Sequence, residues 1–372
     1  MIDFSSVSDC LQTSLLPIVN KIQKQERINN DEALVLYNKV PLSLLGSLSN
    51  DIRERIHGNK TFFNKNIHIE PTNICVFDCK FCSYSRRLSK KEDSWEFTQE
   101  EMIQQILDHE DSEITEVHIV GGVHPKMGLD YFVSLISEVK KIRPNIHVKA
   151  FTAVELEYMC RKAKVSYKEG LQILKDAGQG SLPGGGAEIF DKETRNKICE
   201  DKCTSEEWLE MHETAHSIGM PSNATILYGH IETPEIIIDH LSRLRKLQDK
   251  TNGFNAFIPL KFRNGNNQMS DIKEGSIIND LRMFAFSRIY LDNFPHIKAY
   301  WPMIGKKTTQ NLLAFGVDDI DGTIHDTTKI YSMAGAEDQN PTMNSKEIIE
   351  LITSVGRKAV ERDTVYNVIR EY

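Results

Sequence analysis

The chain has 372 residues, 40% hydrophobic and 26% charged, with a formal net charge of −8 and a sequence pI of ≈ 5.9. That composition is globular, and its acidic balance excludes a partner held by contacts to nucleic-acid phosphates. No apolar run approaches the ~18 residues that a membrane helix needs, and the opening MIDFSSVSDC, with Asp3 and no basic stretch, does not read as a secretory signal, so a cytoplasmic protein without a membrane partner is expected.

Up to about residue 57 the chain reads as helical. Leu11, Leu15, Leu16, Val19 and Ile22 recur at helical spacing, and a second amphipathic stretch runs from Leu42 to Ile56. Residues 1–60 are expected to form a helical extension, with no strand ahead of Phe62. From Asn64 onward strand and helix patterns alternate. Strands are predicted at 67–70, 116–120, 146–151, 180–182, 222–227, 254–259 and 297–301, with a weaker last one at 315–317. Thr98 with Glu101 and Thr204 with Glu207 are capping-box pairs that open two of the intervening helices. Thr233-Pro234 supplies an N-cap and a first-turn proline to a third. Asn344 opens a C-terminal helix expected to run toward Val368. Strands separated by one helix each imply right-handed βαβ units and a parallel sheet. Eight such strands close most naturally as a (β/α)8 TIM-type barrel, with its active site at the C-terminal ends of the strands. Residues 61–372 would form that barrel together with the C-terminal helix.

The cysteines are Cys10, Cys75, Cys79, Cys82, Cys160, Cys199 and Cys203. An odd number without a secretory signal argues against a disulfide framework. Three of them fall in Cys75-Val-Phe-Asp-Cys79-Lys-Phe-Cys82, directly after the first predicted barrel strand and so at the catalytic mouth. A structural zinc site closes with four ligands, and no fourth stands nearby, since His68 is explained by the alternating strand that contains it. Three thiolates suit an iron–sulfur cluster. Three ligands on a four-iron cluster leave one iron open to an exogenous group, which points to chemistry at the cluster.

Cys75-x3-Cys79-x2-Cys82, with Phe81 ahead of the third cysteine, resembles the radical S-adenosylmethionine (SAM) superfamily. Glu70-Pro-Thr-Asn-Ile-Cys75, Gly121-Gly-Val-His-Pro125, Lys149-Ala-Phe-Thr-Ala-Val-Glu155, Leu182-Pro-Gly-Gly-Gly-Ala-Glu188, Tyr228-Gly-His-Ile-Glu-Thr233 and Phe257-Ile-Pro-Leu260 look like the aminofutalosine synthases of the futalosine route to menaquinone. The similarity runs from about Phe62 to the C-terminus. The sister cyclic dehypoxanthine futalosine synthases and the deazaflavin synthases share much of this frame.

The resemblance implies a radical SAM barrel with a [4Fe–4S] cluster on Cys75, Cys79 and Cys82, and SAM chelated at the open iron and consumed as co-substrate. The 5′-deoxyadenosyl radical would add to the double bond of 3-[(1-carboxyvinyl)oxy]benzoate, leading to aminodeoxyfutalosine. An electron donor such as flavodoxin or ferredoxin is implied too. The cofactor carries the hard chemistry, and the protein holds the alkene near the radical and excludes water.

Further roles follow from the same resemblance. Gly121 and Gly122 would let backbone approach the SAM amino group, or merely make a tight turn; Val123 stands where many superfamily members carry Glu. Thr152, Glu155 and Glu188 would bind the ribose or the methionyl ammonium, or serve as loop and cap residues. Phe81 would shield the cluster and Tyr84 would touch the adenine, unless both simply pack. The two substrate carboxylates need cationic or amide donors, for which Asn223, Tyr228 and His230 at the fifth strand and Arg263 after the sixth stand at the right end. His230 could also move a proton, or be a satisfied loop histidine. Arg263 occupies a position where the resemblance leads one to expect histidine.

Competing readings remain at this level. A hydrogen-abstracting radical SAM cyclase of the same pathway shares the cysteine motif. His212-Glu213-Thr214-Ala215-His216 fits the H-E-x-x-H pattern of a zinc hydrolase, although its helix should lie outside the barrel and lacks a third ligand. Gly184–Gly186 lacks the spacing of a dinucleotide fingerprint and more simply allows close backbone approach. Asp318-Asp319-Ile-Asp321 does not fit a calcium loop and reads as a capping turn on the last strand. Cys199 and Cys203 read as a helix-flanking coincidence.

Overall fold

In a barrel wall, a strand must bury one face against the helices outside and the other against the lumen. The computed structural model, which describes residues 15–89, 93–109, 113–325 and 328–372, shows how this chain does so. Cys10, Leu11 and the opening residues read against a secretory signal lie outside the described residues. The strands are β1 (Lys60–Phe63), β2 (Asn66–Ile69), β3 (Glu116–Ile119), β4 (His147–Ala150), β5 (Gln179–Ser181), β6 (Ser222–Tyr228), β7 (Phe254–Lys261), β8 (His296–Ala299), β9 (Asp319–Ile320), β10 (Ile324–His325), β11 (Thr342–Met343), β12 (Lys358–Arg362) and β13 (Val368–Glu371).

β2, β3, β4 and β5 form one parallel ladder, and β6, β7, β8 and β9 form another that reaches β1. Two seams join them. At one, Leu182 bridges Ser222, and the Asn223 N–H donates to the Leu182 carbonyl at 3.2 Å. At the other, Phe62 of β1 faces Asp319, the Thr323 N–H donates to the Asn64 carbonyl at 3.3 Å, and the Asn66 N–H donates to Thr323 Oγ1 at 3.1 Å. The strands β2 to β9 therefore follow one another around a (β/α)8 ring.

The helices are set by local chemistry. The predicted boxes Thr98/Glu101 and Thr204/Glu207 both form, as does the cap of Asn344 with Glu347, and Thr233 with Pro234 opens the helix Pro234–Thr251. The N-terminal helices Asn30–Lys39 and Leu42–His57 lie against the barrel helices Pro234–Thr251 and Ile277–Tyr290, with the helix Leu16–Gln23 ahead of them in the chain. Arg27 bonds Asp249 at 2.6 Å and Asp292 at 2.8 Å, and Arg245 donates to the Ile28 carbonyl at 3.1 Å. Among the described residues no helix is long and apolar enough to cross a membrane.

Four expectations need correction. A strand does precede Phe62: β1 starts at Lys60 and sits below β2 in the same wall. The last barrel strand lies at Asp319–Ile320, because Gly316, with φ 88°, still turns the chain where a strand was expected. The C-terminal helix is Ser345–Thr353, short of Val368. Gly356 at φ 74° ends the helical register, and β12 and β13 follow as an antiparallel hairpin turned at Tyr366, with φ 67°. β12 then runs parallel to β1, so the C-terminus closes the lower end of the barrel. Nor is the aspartate cluster a capping turn. Asp318 is buried against Arg288 and His296, Asp319 meets Arg362 at 2.6 Å, and Asp321 takes Lys298 at 3.0 Å.

The wall inverts the usual filling of such barrels, in which branched apolar side chains pack the interior. Ile67, Ile69, Val117, Ile119, Val148, Ala150, Ile297 and Ala299 are buried, while the alternate positions His68, Glu70, His118, Lys149, Lys298 and Tyr300 line a central cavity of ≈ 280 Å³.

Candidate active site

The loop after β2 is held by its own backbone. Ile74 bridges Arg86, Thr72 bridges Glu96, and the Cys75 N–H donates to the Arg86 carbonyl at 2.9 Å. From below, the Lys80 N–H donates to the Ile198 carbonyl and the Asp78 N–H to Asp201, both at 2.8 Å. This clamp turns Cys75, Cys79 and Cys82, all free thiols, toward the cavity. The Val123 N–H reaches Cys75 Sγ and the Ser85 N–H reaches Cys82 Sγ, each at 3.4 Å. Burial pushes the Cys75 and Cys79 thiols up, so a cation beside them is needed to favour thiolates. Convergent thiols with N–H donors at the sulfurs fit a cluster ligand set.

Lys202 is a member of the site that sequence reasoning missed. Its ammonium is 2.6 Å from Glu188 Oε1 and 5.3 Å from the Phe81 ring centre. Burial works against its charge, but Cys79, Glu188 and Cys199 together hold its pKa well above the usual lysine value. Lys202 lies between the two cysteines set aside as coincidental, and only the fold brings that turn under the cluster loop.

Gly121 and Gly122 are not at positive φ, so backbone conformation does not by itself require glycine there. A Cβ on Gly122 would lie 2.3 Å from the Ile74 carbonyl oxygen, and one on Gly121 would lie 2.8 Å from that of Thr72. The pair lets the cluster loop rest directly on the end of β3, with the Gly122 N–H donating to the Thr72 carbonyl at 2.7 Å. Gly184 does the same against the Asn223 carbonyl, and Gly186, at φ 85°, turns the chain at the cavity wall.

Thr152 and Glu155 face the cavity, but their hydrogen bonds are used locally. They form a capping box, with the Thr152 N–H donating to Glu155 Oε2 at 2.7 Å, while Glu155 Oε1 accepts from the Gly121 N–H at 3.2 Å. Burial pushes Glu155 up to about 7. Glu188, at φ 48°, lines the cavity and is engaged by Lys202. Tyr84 is buried, stacks edge-on against Trp95 and donates to the Thr72 carbonyl at 3.1 Å.

Of the four residues expected to meet the substrate, Asn223 and Arg263 line the cavity; Tyr228 and His230 do not. The reason is the two-residue period of β6. Asn223, Thr225 and Leu227 face inward, which turns Tyr228 outward, where its hydroxyl donates to Asp280 Oδ1 at 2.9 Å. His230 sits in the loop after β6, with Nε2 3.0 Å from the Leu227 carbonyl and Nδ1 3.3 Å from Glu232. Arg263 donates to the Met303 carbonyl at 2.6 Å and to Glu274 at 2.9 Å. His212 and His216 both bond Ser222 Oγ, each at 2.7 Å, on the helix Ser205–Ser217, away from the cavity lining.

Comparison with known proteins places this geometry. Residues 69–244 match the radical SAM superfamily, and residues 251–371 match the CofH/MqnC C-terminal region. The chain is 42% identical over 363 residues to aminodeoxyfutalosine synthase of Thermus thermophilus, the match covering 96% of each chain. It is 34% identical over 358 residues to cyclic dehypoxanthine futalosine synthase of Streptomyces coelicolor, covering 95% of this chain and 89% of that one. The crystal structure of methylornithine synthase shares the fold, with a TM-score of 0.73 over 91% of this chain and 96% of that one, at 16% identity.

Proposed function

The chain belongs to the radical SAM superfamily, and on that premise we propose that it is an aminodeoxyfutalosine synthase, a transferase of menaquinone biosynthesis that joins the adenosyl group of SAM to the enol-ether double bond of 3-[(1-carboxyvinyl)oxy]benzoate. The observation that carries this reading is the opening of three thiols from one loop onto the barrel lumen, whose floor carries histidine and lysine side chains. Greater identity to the synthase than to the sister cyclase supports the transferase over the hydrogen-abstracting alternative.

Cys75, Cys79 and Cys82 would hold the [4Fe–4S] cluster. When bound, that cluster supplies the single electron that cleaves SAM to methionine and the 5′-deoxyadenosyl radical, and an external donor such as flavodoxin or ferredoxin replenishes it.

The chain's own residues do the rest. Gly121 and Gly122 let the three-cysteine loop seat directly on the end of β3, which brings the β3 backbone beside the thiols, where the SAM amino group would lie. Gly184 and Gly186 allow close backbone packing along the opposite wall. Phe81 and Tyr84 shield the mouth, and Lys202 with Glu188 forms its charged rim. Asn223 and Arg263 offer donors to the carboxylate on the alkene carbon. Enclosure keeps water away from the radical and holds the alkene at reacting distance.

The test is an anaerobic assay of reconstituted enzyme with SAM, reductant and the enolpyruvyl benzoate. An adenosylated product is expected. Free 5′-deoxyadenosine alone would remove the addition chemistry, and deuterium transfer from the cyclase substrate into 5′-deoxyadenosine would select the sister activity.

A further inference from the structure

We infer that Lys149 and Lys298, on the floor of the barrel, bind the ring carboxylate of the substrate, an assignment that rests on the synthase reading. His68, His118 and Lys149 are in register across β2, β3 and β4, so they form one inward-facing row, and Lys298 of β8 lines the same lumen. Lys149 and Lys298 are 4% and 2% exposed.

The hydrogen-bonding capacity of this row is not used up by the chain. An ammonium has three donors. Among the described residues Lys149 is paired with Glu116 at 2.6 Å and Lys298 with Asp321 at 3.0 Å, and neither pair occupies all three donors of its ammonium, while both side chains line the cavity. His118 Nε2 is buried with no partner. Its ring stays neutral, because burial and the neighbouring Lys149 disfavour a charge, so it can still donate one N–H. Glu116 and Asp321 balance the two lysines. Glu116 sits one inward step lower, held by Thr364 at 2.8 Å, and Asp321 also lies 3.5 Å from His68. Buried donors without acceptors are costly, and a carboxylate oxygen is the acceptor that suits two ammonium groups and an imidazole N–H.

Depth selects which carboxylate arrives. The alkene must lie at the mouth, beside the cluster loop, so the carboxylate on the alkene carbon stays near Asn223 and Arg263. His68 lies two residues before Glu70, a rise of ~6.6 Å along the strand. That step is on the scale of the benzene ring that separates the two ends of the substrate. Tyr300, which lines the cavity and lies 6.2 Å from the His68 ring, provides an aromatic wall for it.

Equilibrium binding to reconstituted enzyme with SAM and no reductant tests this without turnover. The probes are 3-[(1-carboxyvinyl)oxy]benzoate and its analogue lacking the ring carboxylate. Wild type should prefer the dicarboxylate by about 10- to 100-fold. The charge-balanced double variants Lys149→Met with Glu116→Gln, and Lys298→Met with Asp321→Asn, should bring that ratio to within about threefold of unity while binding of the analogue holds. Equal wild-type affinity for the two probes would overturn the assignment without any variant, and so would folded variants that keep the full preference. Neither result touches the synthase reading, which fails separately if the wild-type enzyme yields no adenosylated product.

Discussion

The two ends of the barrel are both rich in buried charge, and they use it in opposite ways. At the lower end the chain pairs most of its charges within itself, leaving only Asp319 Oδ1 and Arg362 Nε among those charges without a hydrogen-bond partner among the described residues. Asp318 accepts from Arg288, His296 and the Ile297 N–H, and Asp319 accepts from Arg362 and the Tyr366 hydroxyl. Burial alone would raise Asp318, but Arg288 and His296 hold it well below the usual carboxylate range. In the lumen and at the mouth, Lys149, Lys298 and His118 keep unspent capacity, and Cys75 and Cys79 are free thiols that line the same cavity. A buried polar group closed by its neighbours is a strut. One with capacity left over, facing a cavity, is arranged for a ligand.

Substitutions can break that distinction, and the largest effect belongs to the mouth. Cys79→Ala should abolish turnover and lower the iron and sulfide content of reconstituted protein, with thermal stability of the apo chain nearly unchanged; retained turnover would refute the ligand assignment. At the lower end, Arg362→Met leaves Asp319 as an uncompensated buried charge. It should cost about 3–5 kcal/mol in denaturant unfolding, while the folded fraction keeps its kcat. Gly122→Ala drives a methyl into the Ile74 carbonyl. It should cost about 1–3 kcal/mol and weaken SAM binding, measured by titration, because the cluster loop must lift.

The pH response should differ in sign between the two ends. Glu155 is raised to about 7, so the native state keeps a proton that the unfolded chain loses at about 4.5. Its contribution is therefore complete below 4.5 and is lost as pH rises through 7. Asp318 is lowered, so its contribution is present above 3.8 and lost as pH falls below that. Glu155→Gln should flatten the neutral part of the stability profile and Asp318→Asn the acid part, as read by denaturant titrations across pH. The smallest effects belong to the residues that face away from the cavity. Tyr228→Phe should cost about 1 kcal/mol, and both Tyr228→Phe and His230→Gln should leave kcat/KM within about twofold. A large fall in either would restore the role first expected for them.

Much of the thiol site was legible in the sequence because its three cysteines are close together in the chain. The three-cysteine loop after a strand, the glycines at two strand ends and the capping boxes are each local patterns with a local cause. Tyr228 and His230 do not line the cavity, for an equally physical reason. Proximity to a strand end does not say which face a side chain takes, and a shift of one residue along β6 moves it from the lumen to the helix layer. The polar floor had a signal that was passed over. His-Val-Lys149-Ala-Phe and His-Ile-Lys298-Ala-Tyr place a lysine at the centre of a buried parallel strand, where a continuous apolar run is the rule.

By itself, the sequence determined the alternation of strands and helices, the helix starts and the thiol triad, since hydrophobic period, caps and ligand spacing act over a few residues. Tertiary structure alone decided that β12 pairs with β1 across some 300 residues, that Lys202 comes under the cluster loop, and that histidines and lysines from four strands meet on one floor. Those outcomes depend on strand register and ring closure, which link segments far apart in the chain and leave no mark in any local period.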